Sequence, residues 1–278
     1  MQRGTATHLA RVGYAARGVV YLVLGGLASV AALGSGGAVT DTQGVFQEII
    51  SQPFGEFLLA IVAFGLLCFA LWRVAQSLFD ADRLGTDGKA VLRRISCGVS
   101  AIMNGALAVS AAGIVLGNAT SGNGESSAQD WTATLMAAPF GRWLVAAVGL
   151  AIVGTGFALG WKAVKGDVLK HLELGARQRR WAGLMGKAGY VARGLVFLII
   201  GGFLMLAALH ANPAEATGLT GALRALADQP YGWLLFAFTA LGLFAFGAFQ
   251  LVVAAFRRID APDLNDLRSK VPGGVPSL

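Results

Sequence analysis

Gly13-Tyr14-Ala15-Ala16-Arg17-Gly18 opens the first long apolar stretch of the chain, and Gly189-Tyr190-Val191-Ala192-Arg193-Gly194 opens the fifth. In both, a glycine pair comes seven residues after the last glycine, at Gly25-Gly26 and Gly201-Gly202. Between them lies a degenerate version, Ser96-Cys97-Gly98-Val99-Ser100-Ala101, with Ala108 seven residues after Ala101. It keeps the small residues and loses the Tyr and the Arg. A second motif follows each of the three at a similar distance: Pro53-Phe54-Gly55, Pro139-Phe140-Gly141 and Pro230-Tyr231-Gly232, each leading into another apolar stretch. The chain therefore reads as three copies of one two-span unit, about 9–82, 91–168 and 185–260, with 261–278 as a tail.

Composition says what surrounds those units. Of 278 residues, 55% are hydrophobic and 13% charged, and the mean hydropathy is +0.64. A soluble domain of this size needs roughly twice that charge to cover its surface. Six apolar stretches, near 15–34, 56–79, 95–117, 141–163, 189–210 and 232–256, are long enough to cross a bilayer core as helices. Their continuous apolarity excludes a membrane barrel, whose strands alternate. The first stretch has basic residues ahead of it, as a signal peptide would. Its recurrence deep in the chain argues for a retained span instead. The 39 glycines fit helices that pack in lipid by close backbone approach, and the small-xxx-small pairs Gly113/Gly117 and Gly156/Gly160 predict close contacts for spans three and four.

Charge sets the expected orientation. Of the 22 Lys and Arg, all but Arg142 and Arg224 fall on one side of the six spans, so both termini are expected in the cytoplasm. Each unit starts and ends on that side, which makes the copies parallel repeats. The expected fold is an all-α membrane protein: six transmembrane helices as three parallel hairpins in a pseudo-threefold arrangement. Proline suits a first helical turn, so Pro53, Pro139 and Pro230 are expected to begin the even spans. Phe57, Trp143 and Trp233 then mark the outer interface, and Trp72 and Trp161 the inner one. The short amphipathic runs ahead of each Pro (Phe46, Ile49 and Ile50; Leu135 and Met136; Leu219, Leu223 and Leu226) predict short outer helices that lie on the membrane or cap the bundle.

With these motifs in hand, the chain resembles bacterial membrane proteins grouped as domain of unknown function 1206. The resemblance rests on the Gly-Tyr-x-Ala-Arg-Gly opening, the Pro-[Phe/Tyr]-Gly hairpin and the three two-span copies, and it covers about residues 9 to 260. The middle copy departs from it by lacking Tyr and Arg. The resemblance implies a multi-pass protein of the bacterial inner membrane and carries no activity with it. Mitochondrial carriers also have three two-span repeats, but theirs place Pro and an acidic residue near the ends of odd helices. Here Pro opens the even ones, so the likeness is architectural.

Few residues are candidates for chemistry. Arg17 and Arg193 occupy equivalent positions just inside the cytoplasmic ends of spans one and five. Either they snorkel to the interface, or they bind an anionic headgroup or solute, with Gly18 and Gly194 giving it access to backbone. Arg73, Gln76, Asn104 and Gln250 are polar residues within spans, where such groups face the bundle interior, a wet cavity or a neighbouring helix. No span holds a central Asp or Glu. Cys68 and Cys97 sit at different depths, which excludes a disulfide framework, and His8, His171 and His210 have no metal-ligand spacing. The motifs of nucleophilic, zinc and nucleotide enzymes are absent, so neither a cofactor nor a metal is expected, and no enzyme. No soluble basic module is present, so nucleic acid is not an expected partner. The expected partners are membrane lipids, through anionic headgroups at the cytoplasmic face and the basic run from Lys162 to Lys187, with a protein partner or homo-oligomer as a further option. The functional expectation is a non-enzymatic lipid- or partner-binding membrane component. The alternative is a small-solute or ion transporter with a polar pathway along the threefold axis.

Overall fold

The computed structural model describes residues 2–33, 40–79, 87–118, 124–165, 167–169, 172 and 175–256, so the tail at 261–278 lies outside the described residues. Six long helices are apolar enough to cross a membrane: α1 (Gln2–Ala32), α3 (Gly55–Phe79), α4 (Gly88–Val115), α6 (Gly141–Lys165), α7 (Ala176–His210) and α9 (Gly232–Phe256). Among the described residues there is no strand. The spans fall where apolarity places them, but α4 begins seven residues before the expected 95, α1 begins 13 before the expected 15, and α7 begins 13 before the expected 189. Its extra turns are the basic segment Arg177–Lys187, which continues the helix beyond the apolar core.

Three short helices precede the even spans: α2 (Thr42–Ile50), α5 (Gly124–Met136) and α8 (Leu219–Ala227). The Asp41 carboxylate caps α2 by accepting from Gly44 N at 2.9 Å. α2 buries Val45, Phe46 and Ile49, and α8 buries Ala222, Leu223 and Leu226. Both are stoppers of the bundle core. α5 keeps Trp131 largely exposed.

The Pro-aromatic-Gly motif is a turn that joins each short helix to its span, and here the expectation needs correction. Pro53, Pro139 and Pro230 precede the even helices, which begin two residues later at Gly55, Gly141 and Gly232. The glycine N–H closes the turn on the residue before proline: Gly55 on Gln52 O at 2.8 Å, Gly141 on Ala138 O at 2.8 Å, Gly232 on Gln229 O at 2.6 Å. The middle residue takes positive φ each time, 61° at Phe54 and Phe140 and 60° at Tyr231, as the third position of a type II turn requires. Glycine is obligatory next, because a Cβ there would run into the carbonyls of Ile49, Leu135 and Ala227.

The long helices pack as an open ring in the order α4–α3–α1–α9–α7–α6, whose two ends, α4 and α6, share no packed interface. The tightest junctions join different copies: α3 with α4, α6 with α7, and α9 with α1. Glycines explain the last two. A Cβ on Gly25 would meet the Phe244 backbone, and one on Gly18 would lie 3.1 Å from Gly247 O, so α1 and α9 nearly touch. Gly201 against Gly149 O (2.8 Å) and Gly156 against Gly194 O (2.9 Å) do the same for α7 and α6. The Gly113/Gly117 pair makes no such contact. Gly113 has only its own chain's Asn118 O nearby, and Gly117 lies past the end of α4 with φ 73°.

The core divides into two clusters. One joins α1, α3, α4, α7 and α9 beneath α2 and α8, around Leu24, Phe46, Leu59, Leu66, Leu223 and Leu243. The other, toward the basic end, is built on Tyr14, Phe69, Trp72, Phe249 and Val253. Trp72 is therefore a core residue and not an interfacial one, whereas Trp161 is 63% exposed beneath Lys165 Nζ at 4.7 Å.

Candidate functional site

The six-residue motif of α1 and α7 builds the site, and each position has a task. Gly13 and Gly189 let Phe69 and Phe246 of the same copy press against the backbone, since a Cβ would meet their Cα at 2.7 Å. The tyrosine lies edge-on to that phenylalanine: Tyr14 to Phe69 at 5.2 Å, Tyr190 to Phe246 at 5.7 Å. Ala16 and Ala192 face Gly65 and Gly242. The arginine then extends over the same ring, Arg17 at 5.2 Å from Phe69 and Arg193 at 4.5 Å from Phe246. Gly18 and Gly194, expected to admit a ligand, are occupied instead by α9 and α6. They set helix distance and leave no backbone free.

Arg17 and Arg193 do not turn outward to the interface; they meet over one ring. Tyr21, one turn after Arg17, lies with its centroid 5.6 Å from the Arg17 guanidinium carbon and 5.5 Å from that of Arg193. Its hydroxyl accepts hydrogen bonds from both. Phe197, one turn after Arg193, adds a further face at 5.4 Å. Arg73 completes the cluster from α3, sharing the Phe69 ring at 5.0 Å. It also donates to Gln76 Oε1 at 3.2 Å and reaches Cys97 Sγ of α4 at 3.4 Å. Since α1 and α7 are not neighbours in the ring, these contacts place all three guanidiniums on its concave side. Gln250 is buried on α9, and Asn104 is buried on α4 and donates to Ser100 O at 2.7 Å within its own helix.

The electrostatics of this cluster are unbalanced. Cation–π contact with a desolvated guanidinium contributes about 2 kcal/mol. The Arg17 and Arg193 guanidinium carbons lie at most about 11 Å apart, since both sit on the Tyr21 ring. At an effective dielectric near 20 they repel by about 1.5 kcal/mol or more. Arg17 and Arg73 repel likewise across Phe69. Among the described residues the one salt bridge is His210–Glu215, at the other end of α7, so no carboxylate there offsets the three cations. The Nε atoms of Arg73 and Arg193 are buried and lack a hydrogen-bond partner. Guanidiniums on aromatic rings with spare donors match a phosphate or carboxylate in charge and geometry.

Two other arginines cap helices. Arg94 Nε donates to Ser77 O at 2.8 Å and Arg142 Nε to Ala208 O at 2.6 Å, capping the C-terminal ends of α3 and α7. At the basic end, a cavity of about 420 Å³ lies between Val168, Leu169, Arg179, Arg180, Leu184 and Lys187, within the basic run expected to meet lipid. No group of three or more His, Cys, Asp or Glu that could hold a metal is found among the described residues.

The family model described as Domain of Unknown Function (DUF1206) matches three times, at residues 12–80, 95–166 and 188–257. The chain belongs to this family. Each DUF1206 match covers one pair of spans, and together they take in Arg17, Arg73 and Arg193. The chain is also similar to the uncharacterized protein YxxB of Bacillus subtilis (strain 168), 32% identical over 252 residues, 90% of each chain. No solved structure matches. As a DUF1206 member with six apolar helices, the protein is a multi-pass membrane protein.

Sequence reasoning found Arg17, Arg193 and Arg73 but missed the rings that hold them. The signal for Tyr21 and Phe197 was available: each lies four residues after its arginine, one helical turn along the same face.

Proposed function

We propose that this protein is a non-enzymatic component of the bacterial inner membrane, with both termini in the cytoplasm, that holds an anionic phospholipid by its headgroup. Arg17, Arg73 and Arg193 are the binding residues, and Tyr21, Phe69 and Phe246 are the platforms that orient them. The observation that carries this reading is the cluster of three guanidiniums with two buried, unpartnered Nε atoms and no counter-charge among the described residues. An anion placed among them relieves their repulsion and accepts the unused donors. The basic asymmetry of the chain supports the orientation, which puts the cluster at the depth of the inner-leaflet headgroups.

The transport reading has less behind it. Toward the opposite end the core is Leu24, Leu59, Leu66, Phe46 and Leu243, which presents no polar wall to a solute.

The test is lipid retention in native mass spectrometry. After extraction from membranes containing phosphatidylglycerol and phosphatidylcholine, the wild-type protein should keep phosphatidylglycerol. The double variant Arg17→Gln/Arg193→Gln should lose it about tenfold, the equivalent of roughly 1.4 kcal/mol. Equal retention by the two proteins would end this reading.

A further inference from the structure

The ring has one junction that does not close, and the sequence says why. In the first and third copies the hairpin is held by Gly13 and Tyr14 on Phe69, with Ala16 on Gly65, and by Gly189 and Tyr190 on Phe246, with Ala192 on Gly242. Counting from Pro53, Pro139 and Pro230, the second copy has Thr155 in place of the phenylalanine and Ala151 in place of the glycine. Opposite them stand Ser96 and Cys97 for Gly-Tyr. The ring that would fill the hairpin is gone from one helix and the recess that would accept it from the other, and α4 and α6 share no packed interface.

α6 leaves two flanks bare. Gly149 and Gly156 face α7. Ala151, Thr155, Ala158 and Lys162 recur at helical spacing on the flank toward the concave side, and all four are exposed. Lys162 fixes that direction, because its Nζ lies 3.2 Å from the Tyr190 hydroxyl and 4.6 Å from the ring centre. Tyr190 in turn packs on Phe246, the ring beneath Arg193. The other flank carries Leu150, Phe157 and Trp161, bulky and exposed, as lipid-facing residues are. Positive charge thus runs from Lys162 at the edge of the opening to Arg193, Arg17 and Arg73 within.

We infer that the gap between α4 and α6 is a lateral port through which a phospholipid enters from the bilayer, sliding its anionic headgroup onto the arginines while its acyl chains stay between the two helices. The inference rests on the headgroup reading above and adds the route and the identity of the occupant: a lipid that arrives sideways, not a free anion from solution. Charge complementarity selects the headgroup, and the wall of Ala151 and Ala158 accommodates hydrocarbon.

The test fills the port without touching the arginines. Ala158→Trp and, separately, Ala151→Trp place an indole on the concave flank of α6, where neither residue is packed; Leu150→Trp places the same indole on the outer flank. Each purified protein, checked for an unchanged elution profile, is equilibrated in nanodiscs of phosphatidylglycerol and phosphatidylcholine, and retained phosphatidylglycerol is measured by native mass spectrometry. Retention about tenfold lower in both concave-flank variants and unchanged in Leu150→Trp is the expected result. Wild-type retention in the concave-flank variants, with loss in Arg17→Gln/Arg193→Gln, overturns the port and leaves the headgroup site standing. Wild-type retention in the arginine variant overturns both. Displacement of the lipid from wild-type protein by millimolar inorganic phosphate would show a solution-facing anion site and also overturn the port.

Discussion

An aromatic residue at positive φ is costly, of the order of 1–3 kcal/mol, and this chain keeps one at the same place three times, in Phe54, Phe140 and Tyr231. All three side chains are at least 80% exposed, so core packing does not explain them; a place at the ends of apolar spans suits them, since aromatic rings favour the membrane interface. The glycine that follows each is a steric necessity. Gly141→Ala should destabilise the protein by about 2 kcal/mol or more, because the new methyl group meets Leu135 O. Gly154→Ala, with nothing within 4 Å of its Cβ position, should be neutral or stabilising by up to about 1 kcal/mol. Unfolding by SDS titration in mixed micelles measures both, and equal effects would contradict the turn geometry. The motif was legible in the sequence, but its geometry was not. Proline has the same φ in a first helical turn as in the second position of a β-turn, so only the positive φ that follows tells the two apart. The direction of Arg17 and Arg193 was hidden for a similar reason: snorkelling and inward packing use the same side chain at the same depth, and the choice depends on Tyr21, Phe69 and Phe246.

At the scale of the helix, contact is decided by which glycine of a pair faces the neighbour. Gly25 and Gly201 sit in the α1–α9 and α7–α6 interfaces, while Gly26 has only the edge of Phe244 at 3.9 Å and Gly202 has nothing near. Gly25→Leu should therefore separate α1 from α9 and cost about 2 kcal/mol or more, while Gly202→Leu should be tolerated. The two unfolding midpoints in mixed micelles test this, and a Gly202→Leu loss as large as that of Gly25→Leu would contradict it. Span positions and the short helices before the even spans were readable from apolar length and helical spacing, which allow α2 and α8 either to lie on the membrane or to cap the bundle. The interface partners were not, and Gly113/Gly117 shows why. Spacing marks a small surface, but another helix must be there to use it, and α4 ends before Gly117.

For the molecule as a whole, the three copies are equivalent in order but not in closure. Their repetition was plain in the sequence, and so was the degeneracy of the second, yet the open junction was not foreseen. It depends on pairs of residues from two different helices, and the loss of Tyr and Arg at 97 and 100 shows only half of each pair. If those pairs hold the hairpin, restoring them should close it. The variant Ser96→Gly/Cys97→Tyr/Ala151→Gly/Thr155→Phe should bring α4 and α6 together. Spin labels on Val109 and Val148 should report a shorter and narrower distance distribution than in the parent protein; an unchanged distribution would mean that the gap has another cause.

The order of the helices around the ring also bears on why three copies share one chain. A two-span unit that starts and ends on one side of the membrane has all it needs to assemble with two identical copies. In such a homotrimer every substitution appears at three places at once, so no single junction could be relaxed while the others stayed tight. Covalent fusion removes that constraint. The glycine contacts of α1 with α9 and of α6 with α7 can stay fixed while the hairpin of one copy diverges, and asymmetry becomes a heritable property of a structure whose parts began alike.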